Sequence, residues 1–375
     1  MGGSRDQKIL LPGTDIELPM GLDLSRRDVL KIAGYGSLAA FIAACGGGTT
    51  TTTSGTVTAK GGSMSIGSYL SDAVPKKGLQ DIVDAFTTAN GGTKVKVNTV
   101  DHGTFQNTIN NYLQATPEDV FTWFSGHRMR FFADKDGWPA MGTFDILNLR
   151  LNGYDFHTEL CVGKQKWTDP RVANVFKKWA EITPYYSPAF AGLTWQEAAQ
   201  QLLKKKAGMY LLGLFVSEQF VGSGNPDDLA QLDFFPFPDV GSQYDAEKAL
   251  DAPIDVYMLA KKSPTLGADT GQAKAFLEFM SKGSSQIIYW KASPGAIPTA
   301  NDADQSQYPA LTKKAAQIVS NAKRITQFFD RDSRPDFSGP NSMQGFLLRY
   351  LSNPKQDTGG LQGQMQSFWD SLQPE

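Results

Sequence analysis

The sequence predicts an α/β protein with a largely parallel sheet and length enough for two domains. Three observations predict it. Alternating strands and amphipathic helices take turns from Ser63 to Phe124, the order from which parallel sheets are built. About 330 residues follow an export-type leader, enough for two domains of ordinary size. Further apolar stretches at 207–216 and 251–260 read as strands of the later part of the fold.

The leader comes first. Ser25-Arg26-Arg27-Asp28-Val29-Leu30-Lys31 has the twin-arginine order, and Ile42-Ala43-Ala44-Cys45 sets small residues directly before a cysteine. The apolar run from Ile32 to Ala44 is shorter than the roughly 20 residues a bilayer span needs. It reads as a signal peptide over 1–44 that ends in a lipobox, with Cys45 carrying lipid after cleavage. A buried core helix is the alternative. Residues 45–62 are nearly all Gly, Thr, Ser and Ala, which bury too little apolar surface to fold and so read as a tether. The expected location is the outer face of the cytoplasmic membrane, lipid-anchored.

Within the folded part, Met64-Ser65-Ile66 alternates as a short strand. Leu79, Ile82, Val83 and Phe86 then fall on one helical stripe, which Gly91-Gly92 stops. Lys94–Val100 alternates as the next strand. Phe105, Ile109, Tyr112 and Leu113 mark a second amphipathic helix, and 119–124 reads as a buried strand. Met141, Phe144, Leu147 and Leu151 predict a helix stopped by Asn152-Gly153. Val172, Val175, Phe176 and Trp179 predict another after Thr168-Asp169-Pro170. Thr194 and Glu197 form a capping box, and that helix runs to Lys204-Lys205-Lys206. Residues 207–216 are expected as an apolar strand, 233–240 as a proline-bearing edge or connecting strand, and 251–260 as a strand. Ala273, Phe276, Leu277 and Met280 mark a helix stopped by Gly283. Ser293-Pro294-Gly295 and Pro298 read as a rigid turn. Met343, Phe346, Leu347 and Tyr350, then Leu361, Met365, Phe368 and Leu372, mark the last two helices.

Composition narrows function. Net charge is −2, from 36 Lys and Arg against 38 Asp and Glu, so there is no basic footprint for a nucleic acid. With Cys45 lipidated, Cys161 has no partner and is expected as a buried, inert thiol. His102, His127 and His157 lie far apart, and no metal site or cofactor is expected. No nucleophile elbow, Walker loop or dinucleotide fingerprint occurs. Asp330-Arg331-Asp332 does set two carboxylates close together, as glycosidases require, but acids bridged by an arginine also form an ordinary ion-pair cluster.

The pieces resemble a family when taken in order. The strand after the tether, a helix ending in Asp84-Ala85-Phe86, KVKV, DVFTWFSGHRMRFFADK, AGMYLLGLF, APIDVYMLAKKS, PGAIPT and FFDRDSRPDF look like bacterial extracellular solute-binding proteins. The match is to family 1, the sugar-binding group serving ABC transporters. The resemblance implies a two-lobed, type II periplasmic-binding-protein-like fold with a hinge. Residues 63–135 and 253–297 would form lobe 1. Residues 136–252 would begin lobe 2, and 298–375 would hold the hinge return and the remainder of lobe 2. A sugar would sit in the interlobe cleft, and the closed form would meet membrane permease subunits. A monomer is expected, not an enzyme. One departure stands out: the family carries further elements before a segment like Asp136-Gly137-Trp138-Pro139, whereas here Lys135 runs straight into Asp136. The second lobe is therefore expected to be truncated. A degenerate or sensor-type binding lipoprotein and an exported glycoside-processing enzyme are the alternatives.

A sugar offers flat C–H faces to aromatic rings and hydroxyls to planar carboxylates, amides and guanidinium groups. In open α/β sheets ligands collect at the carboxyl ends of strands. The candidates are Tyr69 and Asp72 after the first strand, Phe124 and His127 after 119–124, and Asp136 and Trp138 at the Gly-Pro turn. Phe215 ends the 207–215 stretch, Asp251 and Asp255 flank the crossing strand, and Arg331, Asp332 and Arg334 sit in a later loop. Phe124 and Phe215 read equally as core residues, and His127 as a polar loop residue. Arg331 and Arg334 read alternatively as partners of Asp330, Asp332 and Asp336.

Overall fold

A computed structural model describes residues 8–10, 17–19, 62–124, 137–187, 190–260 and 270–373. The chain forms two compact units, 1–56 and 57–375. The first contains an antiparallel pair, β1 (Lys8–Leu10) with β2 (Glu17–Pro19). Arg26, Arg27, Cys45 and the Lys135–Asp136 join lie outside the described residues. No described helix is long and apolar enough to cross a membrane.

The second unit begins as its periodicity dictates. β3 (Ser63–Ser68) leads into helix α1 (Ala73–Ala89), which buries Leu79, Ile82, Val83 and Phe86. Gly91 and Gly92 adopt φ of 64° and 81° and turn the chain into β4 (Lys94–Thr99). Asp101 caps α2 (His102–Gln114) by accepting the Thr104 N–H at 3.0 Å, and β5 (Val120–Phe124) follows. β3 pairs parallel with both β4 and β5. Asp119, buried at the start of β5, stitches that pair by accepting the Ser65 backbone N–H at 2.6 Å.

The chain then leaves the sheet for a helical body. α3 (Trp138–Cys161) and α4 (Pro170–Ile182) pack with later helices around Phe144, Trp167, Phe176, Trp179, Phe329, Phe337 and Tyr350. Pro170 at the first turn and the Asp169 carboxylate, which accepts the Arg171 N–H at 2.8 Å, start α4. The capping box of Thr194 and Glu197 opens α5 (Trp195–Leu203). α6 (Ser217–Val221) follows, and α5, α6 and the segments beside them share a small apolar cluster of their own.

The return to the sheet fixes the topology. β6 (Leu250–Asp251) pairs with β8 (Ile325–Thr326), while β7 (Asp255–Leu259) runs antiparallel to β5, giving the order β4-β3-β5-β7. α7 (Thr270–Met280) and α8 (Gly283–Ala292) cover the sheet beside α1. α9 (Ala310–Asn321) docks on α8, where the Trp290 indole N–H reaches the Thr312 hydroxyl at 3.3 Å. Short helices α10 (Phe329–Asp332) and α11 (Pro335–Ser338), then α12 (Met343–Ser352) and α13 (Thr358–Ser371), complete the helical body.

Several expectations are corrected. Residues 207–213 join no sheet among the described residues, and Leu214–Val216 coil into a 3₁₀ turn. An apolar run supplies strand propensity, but a strand also needs a ladder partner, and no described strand pairs with it. Residues 233–240 form no strand either, since Pro236 and Pro238 remove two donors. The 251–260 strand is broken at 252–254 around Pro253. Gly283 opens a further helix, and its bare α-carbon lies so close to Ala303 that an added Cβ would sit 2.5 Å from the Ala303 Cα. Asn152-Gly153 does interrupt α3, but the helix resumes at once and runs to Cys161. Gly153 holds φ 83° and ψ 168°, and a Cβ there would meet the Tyr244 ring at 2.6 Å.

That kink yields a test. Gly153→Ala adds both backbone strain and a clash, so a loss on the order of 1–3 kcal/mol is expected. It should appear as a lower urea midpoint at unchanged slope; an unchanged midpoint would show that Tyr244 yields freely.

Candidate functional site

The carboxyl end of the sheet gathers residues distant in sequence. β3 ends at Ser68, so Tyr69 and Asp72 follow there, and Asp72 occupies the N-cap of α1. β5 ends at Phe124, and the antiparallel register sets Phe124 opposite Asp255. The first residue of β7 thus reaches the same end as the residues following β3. Tyr69 is buried, its N–H donates to the Thr122 hydroxyl at 3.0 Å, and its ring meets His102 edge-on at 4.6 Å between centroids. Burial, reinforced by Asp255, pushes the Tyr69 hydroxyl well above its ordinary pKa.

Arg331, from α10 in the helical body, reaches across to this end. Its Nη1 lies 3.1 Å from Asp255 Oδ1 and donates to the Ile254 carbonyl at 3.4 Å. The guanidinium side chain is 12% exposed, whereas Asp255 is 58% exposed, so the pair presents a carboxylate outward and holds the cation behind it. Burial by itself would favour the neutral arginine, but Asp255 and Asp330 outweigh it and hold the group charged. Desolvation lowers the pKa of His102.

An aromatic wall adjoins the charged pair. Trp138, on the first turn of α3, lies 5.7 Å from both Phe215 and Phe328 between ring centroids, and Trp195 stands edge-on to Phe215 at 5.2 Å. Trp138 is thus a helix residue among rings, not a turn residue. Arg331 lies over the Phe328 ring at 5.9 Å, joining wall and ion pair. Gly295 abuts Phe215, where a Cβ would come within 2.7 Å of its Cα. Three residues beyond Phe215, Glu218 accepts the Ser293 hydroxyl at 2.8 Å. Burial raises the Glu218 pKa to about 7 against that bond's opposing effect, with Asp72 and Asp255 adding to the rise. The Gln196 amide stands 3.5 Å from both oxygens of Asp72.

The structure therefore brings Tyr69, Asp72, Trp138, Phe215, Asp255 and Arg331 together and gives the other described candidates different surroundings. Both Asp251 oxygens are buried without a hydrogen-bond partner, and burial together with Asp332 raises its pKa. Asp145 is shifted upward by burial and Asp251, and its other role is to accept the Phe329 N–H at 2.8 Å. Asp332 accepts the Thr326 hydroxyl and the Gln327 N–H, closing the turn into α10. Arg334 forks onto Asp336 at 2.6 and 2.7 Å and donates to the Gln373 carbonyl, tying α11 to the end of the chain. Its reading as a partner of Asp336 therefore stands, whereas Arg331 pairs with Asp255. His127, Asp136 and the Phe124 side chain lie outside the described residues.

Glu218, Trp195, Phe328 and His102 carry no local signal in the sequence. Each owes its place to elements that meet only in three dimensions. Among the described residues no group of His, Cys, Asp and Glu is arranged to hold a metal ion. Cys161 is buried, with its thiol pKa raised by burial and its Sγ 3.7 Å from His157 Nε2. His157 is itself pushed down to about 3 by burial.

The sequence matches no protein-family profile. It is 25% identical over 190 residues to an uncharacterised ABC transporter extracellular-binding protein of Pyrococcus horikoshii, a match spanning 51% of this chain and 40% of that relative's length. The fold superposes on the bacterial solute receptor AcbH, described as having an exclusive preference for β-D-galactopyranose, with a TM-score of 0.75. Identity there is 30%, over 83% of this chain and 99% of AcbH. A chitin oligosaccharide binding protein (TM-score 0.67, 14% identity, 82% of this chain and 98% of that one) shares the fold. So does RafE in complex with raffinose (TM-score 0.58, 11% identity, 82% and 98%). The chain belongs to the bacterial solute receptors and has their α/β fold.

Glu218 gives a pH test. Its folded pKa of about 7 lies above the ordinary 4.5, so the folded state keeps a proton that the unfolded chain releases. Stability from this group is full below about pH 4.5 and is lost as pH rises toward 7, by up to about 3 kcal/mol. Glu218→Gln, which keeps the Ser293 bond and cannot ionise, should be more stable than the parent above pH 7. Its urea midpoint should fall less between pH 4.5 and 7; parallel pH profiles for the two proteins would refute the shift.

Proposed function

We propose that this chain is the substrate-binding lipoprotein of an ABC importer and captures a sugar or oligosaccharide in the cleft at the carboxyl end of its sheet. The carrying observation is the join of an aromatic wall (Trp138, Phe215, Phe328) to an outward carboxylate, Asp255, held by Arg331. Rings accept the C–H face of a pyranose, and Asp255, Asp72 and Arg331 offer planar partners to its hydroxyls. The kinship with AcbH supports the same reading.

In this reading Asp255 belongs to the sheet and Arg331 to the helical body, so a ligand touching both favours the closed arrangement. The closed form meets the permease subunits. Export by the twin-arginine signal and a lipid on Cys45 hold the protein at the outer face of the cytoplasmic membrane. Residues 63–124 and 255–292 form the core of one lobe, and α3, α4 and α10–α13 the core of the other. The reading involves no covalent chemistry.

The test is a thermal-melt screen against mono- and oligosaccharides, galactose first. A sugar at 100 times its Kd should add about 2.7 kcal/mol to stability. Asp255→Asn should weaken its binding by roughly tenfold or more, the scale of a lost charge-assisted hydrogen bond. A cooperative melt that no sugar raises would sink the proposal and leave a binding lipoprotein that has lost transport.

A further inference from the structure

The segment 213–221 touches both the helical body and the sheet-bearing part of the fold. Phe215 packs on Trp138 of α3, whose ring lies against the core of the helical body. Three residues on, Glu218 of α6 reaches the turn that follows α8, and its Oε1 accepts the Ser293 hydroxyl at 2.8 Å. Gly295 in that turn makes room for the approach. A Cβ there would lie 2.7 Å from the Phe215 Cα and 3.2 Å from both Cγ and Oε1 of Glu218. Two more polar contacts join the same two parts: Gln196 of α5 stands 3.5 Å from Asp72, and Arg331 lies 3.1 Å from Asp255. Ser293 is buried and Glu218 half-buried.

The titratable groups on the elements around Glu218 are Asp72 at the start of α1, Glu197 on α5, Asp227 and Asp228 in 226–230, Tyr289 on α8 and Asp255 on β7. Arg331 is paired to Asp255, and α1 turns Lys76 and Lys77 to solvent. The charges that act on Glu218 are those of Asp72 and Asp255, and both belong to the sheet-bearing lobe. Seating the segment on that lobe therefore strips water from the Glu218 carboxylate and sets it against two others. Protonation removes both penalties and leaves an oxygen to accept the Ser293 hydroxyl. Parting the lobes removes them as well, by returning the carboxylate to water.

We propose that Glu218 is a proton-operated clasp on the cleft: neutral, it seats 213–221 on the turn at 293–295 and holds the two lobes together; ionised, it lets them part. This rests on the two-lobed reading of the proposed function and adds a regulation to it, in which the receptor holds its solute in acidic surroundings and yields it above neutral pH. The sign follows from linkage. The Glu218 pKa is about 7 with the clasp shut and returns toward the ordinary 4.5 once the lobes part. The proton's help to closure is whole below about pH 4.5 and is lost as pH rises through 7. Over that range the closed-to-open ratio falls by on the order of a hundredfold.

The test measures lobe separation in the absence of sugar. Spin labels go on Thr88→Cys of α1 and Lys177→Cys of α4, both exposed, in the full chain with Cys45→Ser; Cys161 is buried and stays unlabelled. Double electron–electron resonance should show the distance lengthening reversibly from about pH 5 to about pH 8. Glu218→Gln keeps an acceptor for Ser293 and cannot ionise, so it should hold the short distance at both. Gly295→Ala drives a methyl group into Phe215 and should show the long distance at both. Matching far-UV circular dichroism separates opening from unfolding. A parent distance that ignores pH, a Glu218→Gln variant that follows it, or a Gly295→Ala variant as short as the parent at pH 5 would each overturn the clasp. Such a result leaves the sugar site standing, and a failure of every sugar to bind leaves the clasp standing.

Discussion

The antiparallel return of β7 along β5 is the constraint on which the site depends. β3, β4 and β5 run parallel, so each delivers the residues after its last position to one end of the sheet. A further parallel strand would bring its closing residue there. β7 runs the other way and brings its first residue, Asp255, opposite Phe124. The chain arrives at that point directly from β6, which is paired to β8 just before α10. One register therefore sets Asp255 among Tyr69, His102 and Arg331, and a slip of one residue would turn every side chain of β7 to the other face.

The arginine beneath this end sits in a heavily acidic neighbourhood. Asp145, Asp251 and Asp330 all have raised pKa values, chiefly through burial. Several ionised carboxylates in a space of low dielectric repel one another, which favours their neutral forms. Arg331 keeps its charge because Asp255 and Asp330 flank it. Removing Asp255 leaves the largely buried guanidinium short of a counter-charge, which is more damaging than the half-exposed pair is stabilising. The arrangement thus fixes the position of α10, and with it the adjacent Phe328 ring, rather than adding much to net stability.

The first half of the site and its sheet were legible in the sequence because their signals are local. Alternation in 94–99, the helical stripe through Leu79 and Phe86, and the Gly91-Gly92 stop each need only neighbouring residues to act. The capping box at Thr194 and the cap at Asp169 are equally local, and both formed. Asp255 and Arg331 were legible as polar residues near strand and helix ends, though not as partners. Glu218 and Phe328 were not legible, since a glutamate on a short helix acquires a role only when Ser293 is folded against it.

The sequence by itself determined the α/β class, the order of strands and helices in the sheet-bearing part, the helix caps and the absence of a catalytic motif. These follow from residue periodicity, backbone propensity and composition. Only the tertiary structure decided which apolar runs became strands. A helix satisfies its hydrogen bonds within itself, whereas a strand requires another segment alongside, so 207–213 carried strand propensity but joins no sheet among the described residues. The tertiary structure also separated candidates of the same chemistry: Asp255 outward, Asp251 buried and Asp332 closing a turn. Their side chains are identical, and what differs is the dielectric and the partners that packing supplies.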